Sequence, residues 1–330
     1  MMERFRHGNC QDACVGTLLA AVGVEDPAAL LFRRLIFRIR KHDHVGPPTI
    51  DYATRDYFGD ITKATGVELA YGIADNGEDL LALIDELLGT RVPVAVSVDH
   101  YAYPRSQYCG LAHRPHFVIL AVRSGNRYRY VDPFPRYDLE SSVTRDGLER
   151  WCRSPISPRE ERHRYIYVRS AGRTRFQADA YRRAVWTGTL SENVQSMLSA
   201  PADHAAAGVA AIRRLAVHLT DALDRSVDDA ARLLSTMPDV GASRLEHGRW
   251  LETGGRLVGS VAASKAGTAL QQIARQWDLL AAVAQEHDIA ARSGQPPRPF
   301  LLKKLKGLPE LVSSVADREE QAMYCLADAL

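Results

Sequence analysis

The chain has 330 residues, 46% hydrophobic and 25% charged, with a formal net charge of +2. This balance excludes a disordered chain and argues against general nucleic-acid binding. Its apolar runs fall short of the roughly 18 residues a membrane span needs, and "MMERFRHGN" lacks the apolar core of a signal peptide.

The first predicted element follows "HGN" directly. "CQDACVGTLLAAVG" (10–23) reads as a helix, with Leu18, Leu19 and Val22 at helical spacing and Gly23 as its stop. "DPAALLFRRLIFRIRK" (26–41) is a second helical candidate. "GEDLLALIDELLGT" (77–90) is the clearest helix, with an acidic start that suits the positive end of the dipole and Gly89 near its end. "RVPVAVSVDHYAY" (91–103) reads as a strand, "HFVILAV" (116–122) as a short buried one, "SGN" (124–126) as a turn and "RYRYVDPF" (127–134) as the returning strand. "RHRYIYVRS" (162–170) is one more. After about residue 170 strand signals vanish and Ala, Leu and Arg dominate, with about five helices expected over 176–330. The fold class is therefore α+β, helix on antiparallel sheet over 1–170, followed by an all-α domain over 171–330.

The hairpin decides whether two chemically capable side chains meet. A three-residue loop centred on Gly125 pairs residues whose numbers sum to 250. His116 and Asp132 then share a face, one diagonal step and roughly 7 Å apart. A two-residue loop puts them on opposite faces, unless a bulge restores the parity.

Cys10 sits at the mouth of the first helix. There, unpaired N–H groups and the dipole favour an anion, and thiols so placed, especially beside an imidazolium, ionise at roughly 3.5–7.5 instead of about 8.5. Cys10 as nucleophile, His116 as proton carrier and Asp132 as the group that orients the ring form a set for acyl transfer. Each oxyanion donor, such as the Cys10 backbone N–H, contributes about 3 kcal/mol. The plainer alternatives are a small buried thiol at Cys10, a hydrogen-bonded structural histidine at His116 and a strand-ending turn at Asp132-Pro133. Cys14, one turn on, could compete for the role but lies inside the helix and reads as the core thiol. His113, in a Pro-containing approach, is the rival base. The five cysteines (Cys10, Cys14, Cys109, Cys152, Cys325) include no CxxC pair, which favours free thiols in a reducing compartment, with cytoplasm as the default. "KHDHVG" (41–46) has His42 and His44 around Asp43 but no third ligand, so it reads as a solvated loop and no metal is expected.

Taken together, "NCQDACVGTLLAAVGV", "VPVAVSVDHYAYP", "HFVILAV" and "YVDPFP" resemble the papain-like, C39-peptidase-like enzymes, and more closely the butirosin biosynthesis protein H family of acyltransferases. In that family a cysteine opens the first helix about thirteen residues before a glycine, an interval that Cys10 and Gly23 fit and Cys14 does not. A strand matching Pro93 to Pro104, with Asp99 and Tyr101, precedes the histidine and "DP" strands, matching His116 and Asp132. The likeness covers about 135 residues by motif, and the rest only by helical character and the placement of Trp186, Trp250 and Trp277. One departure stands out: papain-like peptidases carry an oxyanion glutamine six residues before the cysteine, where this chain has Arg4. Asn9 or His7 are the substitutes considered.

The resemblance implies a papain-like first domain, Cys10, His116 and Asp132 as catalytic residues, and transfer of an acyl group from a carrier-protein thioester to a small-molecule amine in specialised metabolism. No cofactor is required beyond the acyl-phosphopantetheine thioester of the donor. The helical domain would cover the site against water or dock a partner. Asp99, Tyr101 and Tyr103 are candidates to line the acceptor pocket, with strand-end packing as the plainer account of the tyrosines. The expected partner is an acidic acyl carrier protein, with neither nucleic acid nor membrane. Its docking face would draw on the eight arginines of 159–183 (Arg159, Arg162, Arg164, Arg169, Arg173, Arg175, Arg182, Arg183), against three acids, or on "LLKKLKG" (301–307). An ordinary arginine-rich surface is the equal alternative. The apolar helices of the second half could provide a homodimer face. The competing functions are a cysteine peptidase or amidase, a thioester-cleaving cyclase with the same triad, and a non-catalytic binding shell.

Overall fold

The computed structural model describes residues 4–40, 49–51, 57–153, 162–172, 176–199, 206–235, 237, 239–295 and 299–330. "KHDHVG", Arg159, Arg173 and Arg175 lie outside them. The chain begins with α1 (Cys10–Ala21), α2 (Ala28–Leu31), β1 (Arg38–Arg40), β2 (Thr49–Asp51), α3 (Tyr57–Thr65), β3 (Glu68–Ile73) and α4 (Gly77–Gly89). There follow β4 (Val94–Asp99), β5 (Pro115–Ser124), β6 (Arg127–Asp132), β7 (Leu139–Thr144), α5 (Arg145–Cys152) and β8 (Arg164–Ser170). The remainder is α6 (Ala178–Leu198), β9 (Ala206–Ala207), α7 (Gly208–Arg225), α8 (Val227–Ser235), α9 (Val240–Val258), α10 (Val261–Arg292), α11 (Pro299–Lys306) and α12 (Leu308–Ala327).

These elements form two compact units, Met1–Pro27 with Asp56–Phe176, and Ala28–Arg55 with Gln177–Leu330. The change of unit thus comes at 176/177 instead of 170/171, and residues 28–55 belong with the helices. The expected helix over 26–41 shortens to α2 because tertiary hydrogen bonds take its backbone. The Asn193 amide accepts from Leu35 N–H at 2.9 Å and donates to the Arg33 carbonyl at 2.9 Å. Beyond it, Phe37 and Ile39 are buried at strand spacing, and β1 pairs with β2 and β9.

The first unit is built on a six-stranded antiparallel sheet in the order β3-β8-β4-β5-β6-β7. β4 is buried at every position, so the central strands are covered on both faces. Leu80, Leu81, Ile84 and Leu88 of α4 and Leu148 and Trp151 of α5 pack with Val94, Val96, Val98, Val118, Leu120, Tyr128 and Tyr130. α1 lies against β5 and β8. It starts in a capping box: Asn9 Oδ1 accepts from Asp12 N–H at 2.9 Å, while the Asp12 carboxylate accepts from Asn9 N–H. It stops at Gly23, in the left-handed region at φ +89°. Gly16 admits the Phe5 ring, which lies 2.0 Å from where a Cβ would stand.

Among its described residues the second unit is helical apart from the small β2-β1-β9 sheet. Its described residues include seven helices after residue 176, α6 to α12, instead of five. At its centre the Arg244 guanidinium donates to both Glu319 oxygens at 2.9 and 3.1 Å, and Trp277 Nε1–H donates to Glu319 at 2.8 Å. Among the described residues, no helix is long and apolar enough to cross a membrane.

Candidate functional site

The β5–β6 hairpin turns through two residues, Gly125 and Asn126, because Ser124 pairs with Arg127. Gly125 has φ +58°, the left-handed region that glycine enters without strain. Near the turn, paired residues sum to 251, which would separate His116 from Asp132. Between Leu120 and Val122 the register slips by one: Leu120 pairs with Tyr130, and Val122 with Arg129. Ala121 is the extra residue of a bulge that restores the sum of 250 and puts His116 and Asp132 on one face. The three-residue loop is thus replaced by a shorter loop plus a bulge, with the same outcome.

His116 and Asp132 are buried, at 1% and 0% exposure. His116 Nε2 donates to Asp132 Oδ2 at 2.8 Å. Cys10 acts on the same ring and favours its charged form. With Nε2 committed to the carboxylate, Nδ1 is the nitrogen open to the sulfur. His116 is raised from 6.5 to about 10: burial, the largest influence, opposes the charge, but the Asp132 carboxylate and the hydrogen bonds to Asp132 and Cys10 outweigh it. The ring is an imidazolium at neutral pH.

Cys10 is half-buried at the first position of α1, whereas Cys14 is fully buried. Burial, reinforced by Asp132, Cys10 and Asp12, pushes the Cys14 thiol up. It is a core thiol, as its place inside the helix suggests. In the first turn of α1, Asn9 takes the Asp12 N–H with its side chain and the Ala13 N–H with its carbonyl. The Cys10 and Gln11 amides are the ones left at the helix mouth. Asn9 is thus first a cap, with its amide oxygen engaged by Asp12. His7 is half-buried, its ring 4.7 Å from that of Phe5. Arg4, in the position of the papain-like glutamine, is ion-paired with Asp138 at 3.2 Å.

The pocket candidates separate. Asp99 is buried at 1% and organises the end of β4. Its Oδ1 accepts from the Tyr101 and Arg114 amides at 3.0 and 3.1 Å, and its Oδ2 pairs with His113 Nδ1 at 2.6 Å. That network removes Asp99 from the acceptor pocket and gives His113 a partner other than the Asp132 carboxylate. Tyr103 is also fully buried. Its hydroxyl donates to Asp132 Oδ2 at 2.8 Å, so it supports the carboxylate and does not line a pocket. Tyr101 alone of the three is exposed, stacked on His113 at 4.4 Å.

Residues outside the motif reading complete the surroundings. His100 stacks on His116 with centroids 4.7 Å apart and planes at 28°. It is held neutral, lowered to about 2, by burial first and then by the charges of His116, Arg114 and Arg136. Phe134 and Tyr137 stand edge-on to the His116 ring, and Phe134 N–H donates to Asp132 Oδ1 at 3.2 Å. The aromatic run "DHYAYP" and the "DPFPRY" turn were the only sequence signals for them.

The described arginines of 159–183 differ in exposure. Arg164 and Arg182 are buried, and Arg182 pairs with Asp179 at 3.4 Å, while Arg169 and Arg183 are exposed. Lys303, Lys304 and Lys306 of α11 are exposed. Among the described residues no group of three metal-ligating side chains converges. Compared with models of protein families and with curated protein sequences, the chain matches none.

Proposed function

We propose that the protein is a cysteine acyltransferase in which Cys10 takes an acyl group from a thioester and passes it to an amine. The observation that carries this reading is the contact of a half-buried thiol at a helix mouth with a buried imidazolium held by a carboxylate. As the thiolate, the Cys10 sulfur bonds to the acyl carbon, the bond from that carbon to the donor sulfur breaks, and His116 gives its proton to the departing donor thiolate. The amine then bonds to the same carbon, the Cys10–carbon bond breaks, and His116 takes the amine proton. The Cys10 and Gln11 amides face the developing oxyanion. Acylation of Cys10 removes one of the groups that holds the proton on His116, so the ring becomes a stronger acid when the donor thiol must leave.

The resemblance to the butirosin biosynthesis protein H family, and with it a papain-like first unit and a carrier-protein donor, belongs to this proposal. The exposed lysines of α11 support an acidic partner. The test is intact mass after mixing with an acylated carrier protein. Wild type is expected to gain the acyl mass, and Cys10→Ala to gain none, while Cys14→Ala still does. Release by amines faster than by water supports transfer. Rapid release as free acid without amine preference makes the protein a hydrolase, and the absence of any adduct with a panel of thioesters overturns the reading.

A further inference from the structure

Asp132 Oδ2 accepts two hydrogen bonds of the same length, 2.8 Å from His116 Nε2 and 2.8 Å from the Tyr103 hydroxyl. Tyr103 is fully buried. Its ring stands edge-on to Trp151 and Tyr130 at 5.1 and 6.2 Å and lies 5.5 Å from the His116 ring. Aromatic packing fixes the phenol, and the phenol fixes one oxygen of the carboxylate. We propose that Tyr103 is a positioning residue that, through Asp132 Oδ2, sets how tightly His116 keeps its proton. The inference rests on the acyl-transfer reading only for its purpose; the Tyr103–Asp132–His116 chain can be tested without it.

The direction follows from the chemistry of a shared acceptor. A proton donated by Tyr103 draws negative charge from Asp132 and weakens its hold on the imidazolium. Burial first, and then the neighbouring Asp132 charge, push the Tyr103 phenol up, so the donor stays protonated over the working range. The other titratable groups facing the pair are Cys10 and Cys14 from α1, His100 after β4, Tyr130 from β6 and Tyr137 after it, with Arg114 and Arg136 acting on His100. None of them takes the hydroxyl's place on Asp132 Oδ2 in the structure.

The experiment is NMR titration of the His116 ring nitrogens in wild type, Tyr103→Phe and Tyr137→Phe. Tyr137 stands edge-on to the same ring, but its phenol is influenced by Ser106 and feels Asp132 through its charge alone. Tyr103→Phe keeps the packed ring and is expected to move the His116 midpoint upward by roughly one pH unit. Tyr137→Phe should leave the midpoint in place. An unmoved midpoint in Tyr103→Phe, or an equal movement in Tyr137→Phe, overturns the proposal. Should Tyr103→Phe fail to fold, the wild type decides: a slowly exchanging Tyr103 hydroxyl proton close to the His116 ring N–H supports the arrangement, and its absence overturns it. Alkylation of Cys10 by iodoacetamide in the same variants separates the two ideas. A moved His116 midpoint with Cys10 no more reactive at pH 6 than an ordinary thiol sinks the acyl-transfer reading and leaves the Tyr103 role standing.

Discussion

Among the described residues each unit holds a fully buried ion pair, and the two are built alike up to the identity of the cation. In the helical unit Glu319 receives the Arg244 guanidinium through two oxygens and an indole N–H from Trp277. In the sheet unit Asp132 receives the His116 ring and a phenol from Tyr103. Both carboxylates are saturated by a cation and an aromatic donor, and both are 0% exposed. The difference lies in proton chemistry. A guanidinium does not lose its proton in a protein, so the Arg244–Glu319 pair can only hold structure. An imidazolium can, and here the ring has a thiol on its other side. The same burial thus makes a clamp in one unit and a proton carrier in the other.

Removing the carboxylate charge breaks the comparison most directly. Asp132→Asn is expected to lower acyl transfer by roughly 10³–10⁴-fold, the scale seen when the orienting acid of such a triad is neutralised. It should also return alkylation of Cys10 at pH 6 to the rate of an ordinary thiol. Unchanged transfer would place the chemistry elsewhere. Deleting Ala121 tests the same contact through the backbone. Without the bulge the parity of β5 against β6 reverses at His116, and the His116–Asp132 hydrogen bond should be lost from the NMR spectrum along with Cys10 reactivity.

In the helical unit Glu319→Gln should leave Cys10 alkylation untouched but cost about 3–5 kcal/mol in urea unfolding, because Arg244 stays buried with its charge uncompensated. A loss of under about 1 kcal/mol would show that the pair is not a clamp. Acid and alkali sharpen the contrast further. His116, raised to about 10, contributes stability that is complete below pH 6.5 and lost as pH rises through 10. His247, buried in the helical unit, is lowered to about 4 by burial first; its hydrogen bond to the Phe32 carbonyl opposes this and Arg244 assists it. There the unfolded chain takes up the proton first, so stability falls as pH drops from 6.5 through 4, by on the order of 3 kcal/mol. Urea unfolding across pH should show His247→Gln flattening the acid limb and His116→Gln the alkaline one. An acid limb identical in wild type and His247→Gln would mean that another group carries it.

Local pattern carried much of the architecture. The capped start and glycine stop of α1, the acidic start of α4, the valine-rich β4 and the two strands around Gly125 are all written in short-range residue order, because capping, periodicity and turn chemistry act within a few residues. The cysteine, histidine and aspartate were legible for the same reason: Cys10 begins an element, Asp132 ends one, and His116 is the second residue of β5. Residues 28–40 were not. Their helical composition yielded to Asn193 and to the pairing of β1 with β9, partners more than 150 residues away. Nor could the residue order tell Asp99 and Tyr103, equally polar at the end of one strand, from pocket residues.

By itself the amino-acid sequence determined which side chains with chemistry stand at element ends, since that depends on propensities of neighbouring residues. Only the tertiary structure decided which of them touch. The Ala121 bulge sets a parity that no composition reveals, and the closeness of the Asp132 carboxylate, which outweighs the burial that opposes the charge, is what turns His116 into a cation.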